Sequence, residues 1–177
     1  MPELNKCKMG VLETERLRLR QYSPADFEML YYLLNDTDII KYLFNGNIFT
    51  QLDTLKLIEE TFCGYKNDIG CLILEKKDHT ILGFSGIQKC ISFLTDDYEL
   101  GFVIKKEFWG NGYATEIGKG LIDYARTNMD IPRITATVHP LNSQSTKVLN
   151  KLNMKQLFKD NIKNRGDRVV YGLTLKR

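Results

Sequence analysis

The sequence has few cysteines and prolines and no long apolar run, and each shortage excludes a class of protein. Its four cysteines, Cys7, Cys63, Cys71 and Cys90, form no C-x-x-C pair and no metal-like cluster with the two histidines. We therefore expect free thiols, mostly buried, in a reducing compartment, and no metal site. No apolar stretch approaches the roughly 20 residues that span a bilayer, and the N-terminus lacks the apolar stretch of a signal peptide. We predict a cytoplasmic protein that does not bind a membrane.

An excess of charge of either sign is also missing. The 25 Lys and Arg residues against 22 Asp and Glu give a net charge of +3, and the basic residues are spread along the chain. This pattern lacks the basic stripe of a nucleic-acid-binding protein and the polybasic segment of a membrane-binding one. Since 177 residues suit one domain, and since no linker or repeat is present, we predict a single domain over 1–177. Residues 1–10 would form a short extension, and the protein would be a monomer or a homodimer.

Hydrophobic patterning predicts alternating strands and helices. The predicted strands lie at 16–20, 71–75, 81–91, 97–104, 133–139, 154–160 and 168–175. The predicted helices begin at 23–24 and cover 51–65, 112–128 and 143–152. A strand-helix-strand crossover between 97 and 139 should join parallel strands, whereas the middle strands should be antiparallel. We therefore predict an α/β (mixed α+β) fold with one mixed, largely antiparallel central sheet of about six to seven strands and helices on both faces.

The helix predicted at 51–65 carries apolar residues at helical spacing, which indicates the face that it buries. Leu52, Leu55, Ile58 and Phe62 are expected to point inward.

The most informative local feature is the Gly110-Asn111-Gly112 turn between a buried strand and the longest predicted helix. Glycines let the backbone turn tightly and approach a ligand, and the first helical turn directs N–H groups and a positive dipole to the same point. Together these features predict a phosphate or pyrophosphate site, although a plain tight turn is the alternative. The Walker and dinucleotide motifs are excluded, because the first needs a Gly-Lys-Ser/Thr ending and the second a third glycine at fixed spacing.

Three segments, in the same order, resemble one known family. Residues 99–104 and 109–116, Glu-Leu-Gly-Phe-Val-Ile and Trp-Gly-Asn-Gly-Tyr-Ala-Thr-Glu, resemble the acetyl-CoA motif of the GNAT N-acetyltransferase superfamily, especially its RimJ/RimL branch of ribosomal-protein N-terminal acetyltransferases. Residues 12–26 resemble the N-terminal signature of that branch, and 142–154 its N-x-x-S…L-x-K-L-G-F segment. The resemblance covers roughly 11–175. Glu107, where the superfamily has Gln or Arg, and the Asn-Met at 153–154, in place of Gly-Phe, depart from it.

The resemblance implies a GNAT fold in which the strand before the glycine turn splays from the next parallel strand. Acetyl-CoA would lie in the gap and donate its acetyl group to a primary amine, either a protein or peptide N-terminus or a small molecule. The implied cofactor-binding residues are Phe102, Val103, Ile104, Trp109, Gly110, Asn111, Gly112, Tyr113, Ala114, Thr115 and Asn142. A main-chain N–H within 102–104 would hold the oxyanion. A catalytically inactive CoA-binding or sensor protein, or an unrelated phosphate-binding domain, are the alternatives.

The resemblance also implies two catalytic residues. Glu99 matches a glutamate base of the histone-acetyltransferase branch, and Gly101 leaves space on the same face of the strand; the alternative is that Glu99 only orients the amine. His139 is the rival base, with a turn residue as its ordinary role. Ser145 is the implied acid at the leaving thiolate, because Leu149 stands where many relatives have a tyrosine. Its alternative role is a hydrogen bond to the backbone near the helix start.

Two further segments could face the substrate. Asp96 and Asp97 could attract a cationic acceptor or could simply be solvated. The aromatic-rich stretch 42–49 could form an apolar lid over the acceptor, and core packing explains its aromatics equally well.

Overall fold

The computed structural model of the protein describes residues 12–44, 46–63, 70–89, 97–162 and 165–175. The predicted extension at 1–10, together with Cys7, Cys90 and Asp96, lies outside the described residues. No helix in the ranges given is both long and apolar enough to cross a membrane.

Strands and helices follow one another largely as the sequence pattern predicts. The strands are β1 (Leu12–Glu13), β2 (Leu17–Arg20), β3 (Gly70–Lys76), β4 (Ile81–Lys89), β5 (Tyr98–Ile104), β6 (Arg133–Val138), β7 (Lys155–Ile162) and β8 (Gly166–Thr174). The helices are α1 (Phe27–Leu33), α2 (Thr37–Ile40), α3 (Gln51–Ile58), α4 (Tyr113–Asn128) and α5 (Ser143–Lys151). Single 3-10 turns at Pro24–Asp26 and Lys106–Phe108 precede α1 and the glycine turn.

All eight strands form one mixed sheet in the order β1-β2-β3-β4-β5-β6-β8-β7. Every neighbouring pair is antiparallel except β5 and β6, which are parallel. The predicted fold class is therefore confirmed. The sheet has one strand more than the predicted six to seven, because the two-residue β1 is too short to show a period-2 pattern.

The parallel pair β5–β6 opens into a wedge. The two strands pair only at Tyr98↔Ile134 and Glu99↔Thr135. From Leu100 onward β5 runs to its end without pairing to β6, although it stays paired with β4 as far as Gly83↔Ile104. The side of β5 that faces β6 is therefore open along most of its length, from Leu100 to Ile104, which is the splay that the family resemblance implies.

Each face of the sheet buries its own core, since neighbouring residues of a strand point to opposite faces. The larger core packs α4 and α5 against the sheet and includes Leu17, Ile87, Leu100, Ile117, Leu121, Ile134, Leu149 and Met154. The smaller core packs α1 to α3 against the other face and includes Leu30, Leu34, Ile39, Ile58, Ile73, Phe84 and Val103. The helices therefore lie on both faces, as predicted.

The predicted buried face of α3 was wrong in part. Leu52 and Leu55 are 60% and 48% exposed, whereas Thr54 and Ile58 are buried. The hydroxyl of Thr54 donates to the Thr50 carbonyl at 3.0 Å, so this polar side chain is satisfied inside the helix and can face the core. The α-helix ends at Ile58 and a π-helical turn follows; the predicted end near residue 65 lies outside the described ranges.

Candidate active site

The glycine turn has the backbone that the sequence predicts. Gly110 and Gly112 have φ values of 81° and 80°, in the left-handed region that favours glycine. Gly112 is the N-cap of α4, and the first N–H groups of this helix therefore point out of the turn. The side chain of Asn111 donates to the carbonyls of Phe108 and Trp109 at 3.1 and 3.2 Å, so Asn111 stabilises the turn from within.

A cluster at the N-terminal end of the described chain anchors this turn. Glu116 accepts hydrogen bonds from the Thr14 hydroxyl at 2.6 Å, and from the Arg16 backbone and side chain at 2.8 and 2.7 Å. Arg16 also donates to the Asn111 carbonyl at 3.2 Å and lies 4.7 Å from the centre of the Tyr113 ring. Burial raises the pKa of Glu116, but the hydrogen bonds from Thr14 and Arg16 outweigh burial and leave that pKa below its ordinary value. The partners are about 100 residues apart, and sequence reasoning missed them.

A cavity of about 550 Å³ begins at the glycine turn and runs between β5 and the start of α5. We call it the cofactor cavity. Among its lining residues are Phe102, Val103, Ile104, Trp109, Gly110, Gly112, Tyr113, Ala114, Thr115 and Asn142. Ten of the eleven predicted cofactor-binding residues are therefore brought together, and only Asn111 does not line the cavity. Exposed Glu107 does not line it either, so its charge does not enter the cavity.

A second cavity of about 310 Å³ contains Glu99, Gly101 and His139 among its lining residues. We call it the acceptor cavity. It meets the cofactor cavity inside the wedge, because six residues line both. These six are Tyr42, Leu43, Phe102, Val103, Asn142 and Ser145. A group bound in one cavity can therefore reach a group bound in the other at this junction.

Glu99 is held firmly at the acceptor side of the junction. Its side chain is 7% exposed and accepts hydrogen bonds from the Thr137 hydroxyl and from Arg165 Nη1 and Nη2, the last two at 2.9 and 3.2 Å. A Cβ added at Gly101 would meet nothing within 4 Å, so the space predicted beside Glu99 is present. Thr137 and Arg165 were missed by sequence reasoning.

His139 lines the same cavity but is poorly arranged as a base. Burial, and then the charge of Arg168, lower the pKa of His139 below its ordinary value, so the ring is neutral at pH 7. Its Nδ1 accepts the backbone N–H of Leu141 at 3.2 Å. The neutral ring then carries its proton on Nε2, which leaves that nitrogen as a donor. The geometry therefore favours Glu99 over His139 as the proton acceptor.

Ser145 and Asn142 meet at the start of α5. Asn142 caps the helix, because its Oδ1 accepts the Ser145 N–H at 3.0 Å. The Thr146 hydroxyl donates to the Asn142 carbonyl at 3.1 Å, which is the backbone role that was the alternative for Ser145. The Ser145 hydroxyl itself has no hydrogen-bond partner among the residues that the structure describes, and the residue lines both cavities. Leu149 lines the acceptor cavity and supplies no phenol.

The other residues that were predicted to face the substrate differ in whether they line a cavity. Asp97 pairs with Arg133, with 3.2 Å between Arg133 Nε and Asp97 Oδ1, so it ties the paired ends of β5 and β6 and lines neither cavity. In the stretch 42–49, Tyr42 lines both cavities, whereas Ile48 is exposed and the Phe49 ring packs tilted against Phe44, with 5.2 Å between ring centres. Of the described residues in that stretch, Tyr42, Leu43 and Phe44 line the cavities.

Both cysteines in the described part of the chain are free. Cys71 lines the acceptor cavity, and burial raises its pKa to about 12. The thiol is therefore protonated at neutral pH and is a poor nucleophile.

Comparison with known proteins agrees with this arrangement. A family model described as an acetyltransferase (GNAT) domain matches residues 16–155. An uncharacterized N-acetyltransferase of Bacillus licheniformis, p20, is 31% identical over 165 residues, which are 89% of this chain and 90% of that protein.

Solved structures share the fold. A GNAT-family acetyltransferase from Bacillus anthracis aligns with a TM-score of 0.78 and 24% identity, over 95% of this chain and 100% of that one. The ribosomal L7/L12 α-N-protein acetyltransferase RimL, solved in complex with CoA, aligns with a TM-score of 0.71 and 15% identity, over 93% and 98% of the two chains. Such distant structural likeness shows the fold and leaves the RimJ/RimL branch as a prediction. The matching family model and the 31%-identical relative show that the chain belongs to the GNAT acetyltransferase family, and its splayed parallel strands agree with this.

Proposed function

We propose that this protein transfers the acetyl group of acetyl-CoA to a primary amine by direct attack of the amine on the thioester. The observation that carries this proposal is the junction of the cofactor and acceptor cavities inside the β5–β6 wedge, with Ser145 on both sides and Glu99 on the acceptor side. One cavity accommodates the thioester arm, the other the amine, and the reacting atoms meet where the cavities join.

Acetyl-CoA would bind through backbone groups at both ends of the cofactor cavity. Its pyrophosphate would lie on the N–H groups that leave the glycine turn at the positive end of α4, with Lys147 and Lys151 adding positive charge to the cavity lining. The pantetheine arm would follow the open edge of β5 along 102–104. The Trp109 indole already donates to the Ile104 carbonyl at 2.7 Å, and β4 pairs with its own side of β5. The main-chain groups of 102–104 that face the wedge would therefore serve the cofactor.

The reaction needs a proton acceptor, an oxyanion donor and a proton donor. Glu99 takes a proton from the ammonium, directly or through water. The neutral amine then attacks the thioester carbonyl, and a main-chain N–H within 102–104 holds the oxyanion. As the C–N bond forms and the C–S bond breaks, Ser145 gives its hydroxyl proton to the leaving thiolate. The acetylated nitrogen then loses its second proton, which returns through water to Ser145, and Glu99 releases the first proton to solvent. Thr137 and Arg165 act as positioning residues, because they fix the Glu99 carboxylate.

The acceptor class is a further part of the proposal. The three motifs that resemble the RimJ/RimL branch support a protein or peptide N-terminus, and the small acceptor cavity supports a small-molecule amine. The enzyme would act in the cytoplasm as a monomer or homodimer.

A thiol-release assay with acetyl-CoA and a panel of amines tests this function. We expect amine-dependent release of CoA, with turnover reduced about tenfold or more in Ser145→Ala and largely retained in Ser145→Thr, which keeps the hydroxyl. Binding of acetyl-CoA without thiol release for any peptide or small amine would instead identify a CoA-binding protein without transferase activity.

A further inference from the structure

Arg168, on β8, is a buried cation whose partners are all neutral. The residue is 3% exposed. Its Nη1 donates to the Asp167 carbonyl at 2.8 Å, and its Nη2 donates to the carbonyls of Phe44 and Tyr42, the latter at 3.5 Å. Burial, and then the charge of Arg165, lower the pKa of Arg168 below its ordinary value, against the opposing charges of Glu99 and Asp167. A buried charge of this kind is costly unless an opposite charge lies beside it.

The other arginines of the described chain show what Arg168 lacks. Each of the remaining six forms an ion pair with a carboxylate. These pairs are Arg16–Glu116, Arg18–Glu75, Arg20–Asp26, Arg126–Asp123, Arg133–Asp97 and Arg165–Glu99. Arg168 is more deeply buried than these arginines, yet no described carboxylate lies within ion-pair distance of it.

The position of Arg168 indicates where an anion would bind. The residue lines the acceptor cavity together with Glu99, Arg165 and His139. Glu99 is already paired with Arg165, and His139 is neutral at pH 7 because its pKa is lowered. The exposed rim carries one charge of each sign, Glu60 and Lys89. The interior of the cavity is therefore left with the positive charge of Arg168.

We propose that the acceptor is a small amine that also carries a carboxylate, which Arg168 binds while the amino group lies toward Glu99 and the junction. This inference rests on the proposed acetyl transfer. A guanidinium has five N–H donors, and the three bonds of Arg168 to carbonyls leave two donors for a carboxylate. A bound carboxylate would also offset the cost of burying Arg168. A polyamine would instead bring further positive charge toward Arg165 and Arg168. A volume of about 310 Å³ suits a molecule the size of an amino acid.

Acceptors that differ mainly in the carboxylate measure its contribution to the reaction. Thiol release is measured with leucine, leucinamide and isoamylamine, with a neutral peptide bearing a free N-terminus, and with spermidine. We expect kcat/KM for the carboxylate-bearing amine to exceed that for its amide about 10- to 100-fold, as for a hydrogen-bonded charge. The same comparison is made with other amino acids and their amides, so that the result does not depend on one side chain.

Variants of Arg168 distinguish binding of the carboxylate from a purely structural role of this residue. Arg168→Met is expected to abolish the preference for the acid over the amide, mainly through a higher KM for the acid, while Arg168→Lys keeps part of it. A merely structural role would reduce the rates for acid and amide equally. The matched control Arg126→Met removes the same charge from an exposed position of α4 and should leave the ratio unchanged.

A binding measurement distinguishes failure of this inference from failure of acetyl transfer. If leucine but not leucinamide raises the melting temperature of the CoA-bound protein, and Arg168→Met removes this effect, the anion site stands even without turnover. The inference is overturned, and acetyl transfer stands, if amides, neutral peptides or spermidine are acetylated with the same kcat/KM as the acids. The same holds if the acid-to-amide ratio of kcat/KM is unchanged in Arg168→Met. Absence of both turnover and an Arg168-dependent shift overturns it as well.

Discussion

Two side chains that are distant in the sequence hold the Glu99 carboxylate in place. Thr137 of β6 and Arg165, next to β8, hold the carboxylate from 38 and 66 residues away in the chain. A base must lie within reach of the ammonium before its proton affinity matters. The local sequence around Glu99 supplies the carboxylate, and its neighbours in space supply the orientation.

Replacing Glu99 by Gln tests its role as proton acceptor. We expect kcat to fall about 100-fold or more, with the Kd for acetyl-CoA unchanged, because Glu99 lines only the acceptor cavity. Steady-state kinetics across pH and calorimetry measure the two effects. Thr137→Val, which keeps the carboxylate and removes one hydrogen bond to it, should show a smaller loss. Wild-type turnover of Glu99→Gln at every pH would exclude Glu99 as the base.

Gly112→Ala tests the placement of the pyrophosphate. At φ of 80° an added Cβ costs about 1–2 kcal/mol. Exposed Gly46 has the same φ of 80° and lies outside both cavity linings, so Gly46→Ala is a matched control for backbone strain. Urea unfolding should show similar losses of stability in the two variants, whereas calorimetry should show weaker acetyl-CoA binding only in Gly112→Ala. Equal affinity in both would contradict the pyrophosphate position.

Among the elements, the wedge and the hairpin of β7 and β8 determine the site. Because β8 lies between β6 and β7 in the sheet, the hairpin brings Arg165 and Arg168 to the acceptor cavity. The parallel strands β5 and β6 diverge after two paired residues, which leaves the main chain of β5 open toward the cofactor cavity. Sheet order therefore selects the partners of Glu99.

Helix α3 offers a test of the corrected burial. Ile58 packs in the smaller core, and Ile58→Ala should reduce the free energy of unfolding by about 3 kcal/mol. Leu55 is 48% exposed, so Leu55→Ala should change it by only about 0.5 kcal/mol. Urea unfolding of both variants measures the difference. Equal losses of unfolding free energy in the two variants would instead support the buried face that the apolar spacing predicts.

At the scale of the whole molecule, cofactor binding is linked to folding. A ligand that binds only the folded state at 100 times its Kd adds about 2.7 kcal/mol of stability. For a chain of 177 residues this corresponds to a melting temperature higher by about 5–10 °C. Thermal unfolding with acetyl-CoA, CoA, ATP and NAD should show this increase for the first two only. An equal increase with ATP would contradict a CoA-specific site.

Much of this protein follows from its sequence alone. Hydrophobic patterning located seven of the eight strands, and the two glycines before the longest predicted helix located the turn at 110–112, because these signals depend on neighbours along the chain. The family motifs predicted eleven cofactor-binding residues, and ten of them line the cofactor cavity. The prediction was possible because these residues lie on one strand, one turn and one helix start.

The tertiary structure alone decided what those elements meet. Leu52, Leu55 and Ile58 share helical spacing, yet only the packing of α3 on the sheet determined that Ile58 is the buried one. Likewise, the pairing of Glu99 with Arg165 and the burial of Arg168 without a carboxylate depend on the position of β8 beside β6. A side chain's partners across a sheet are set by strand order and register, which local sequence patterns do not contain.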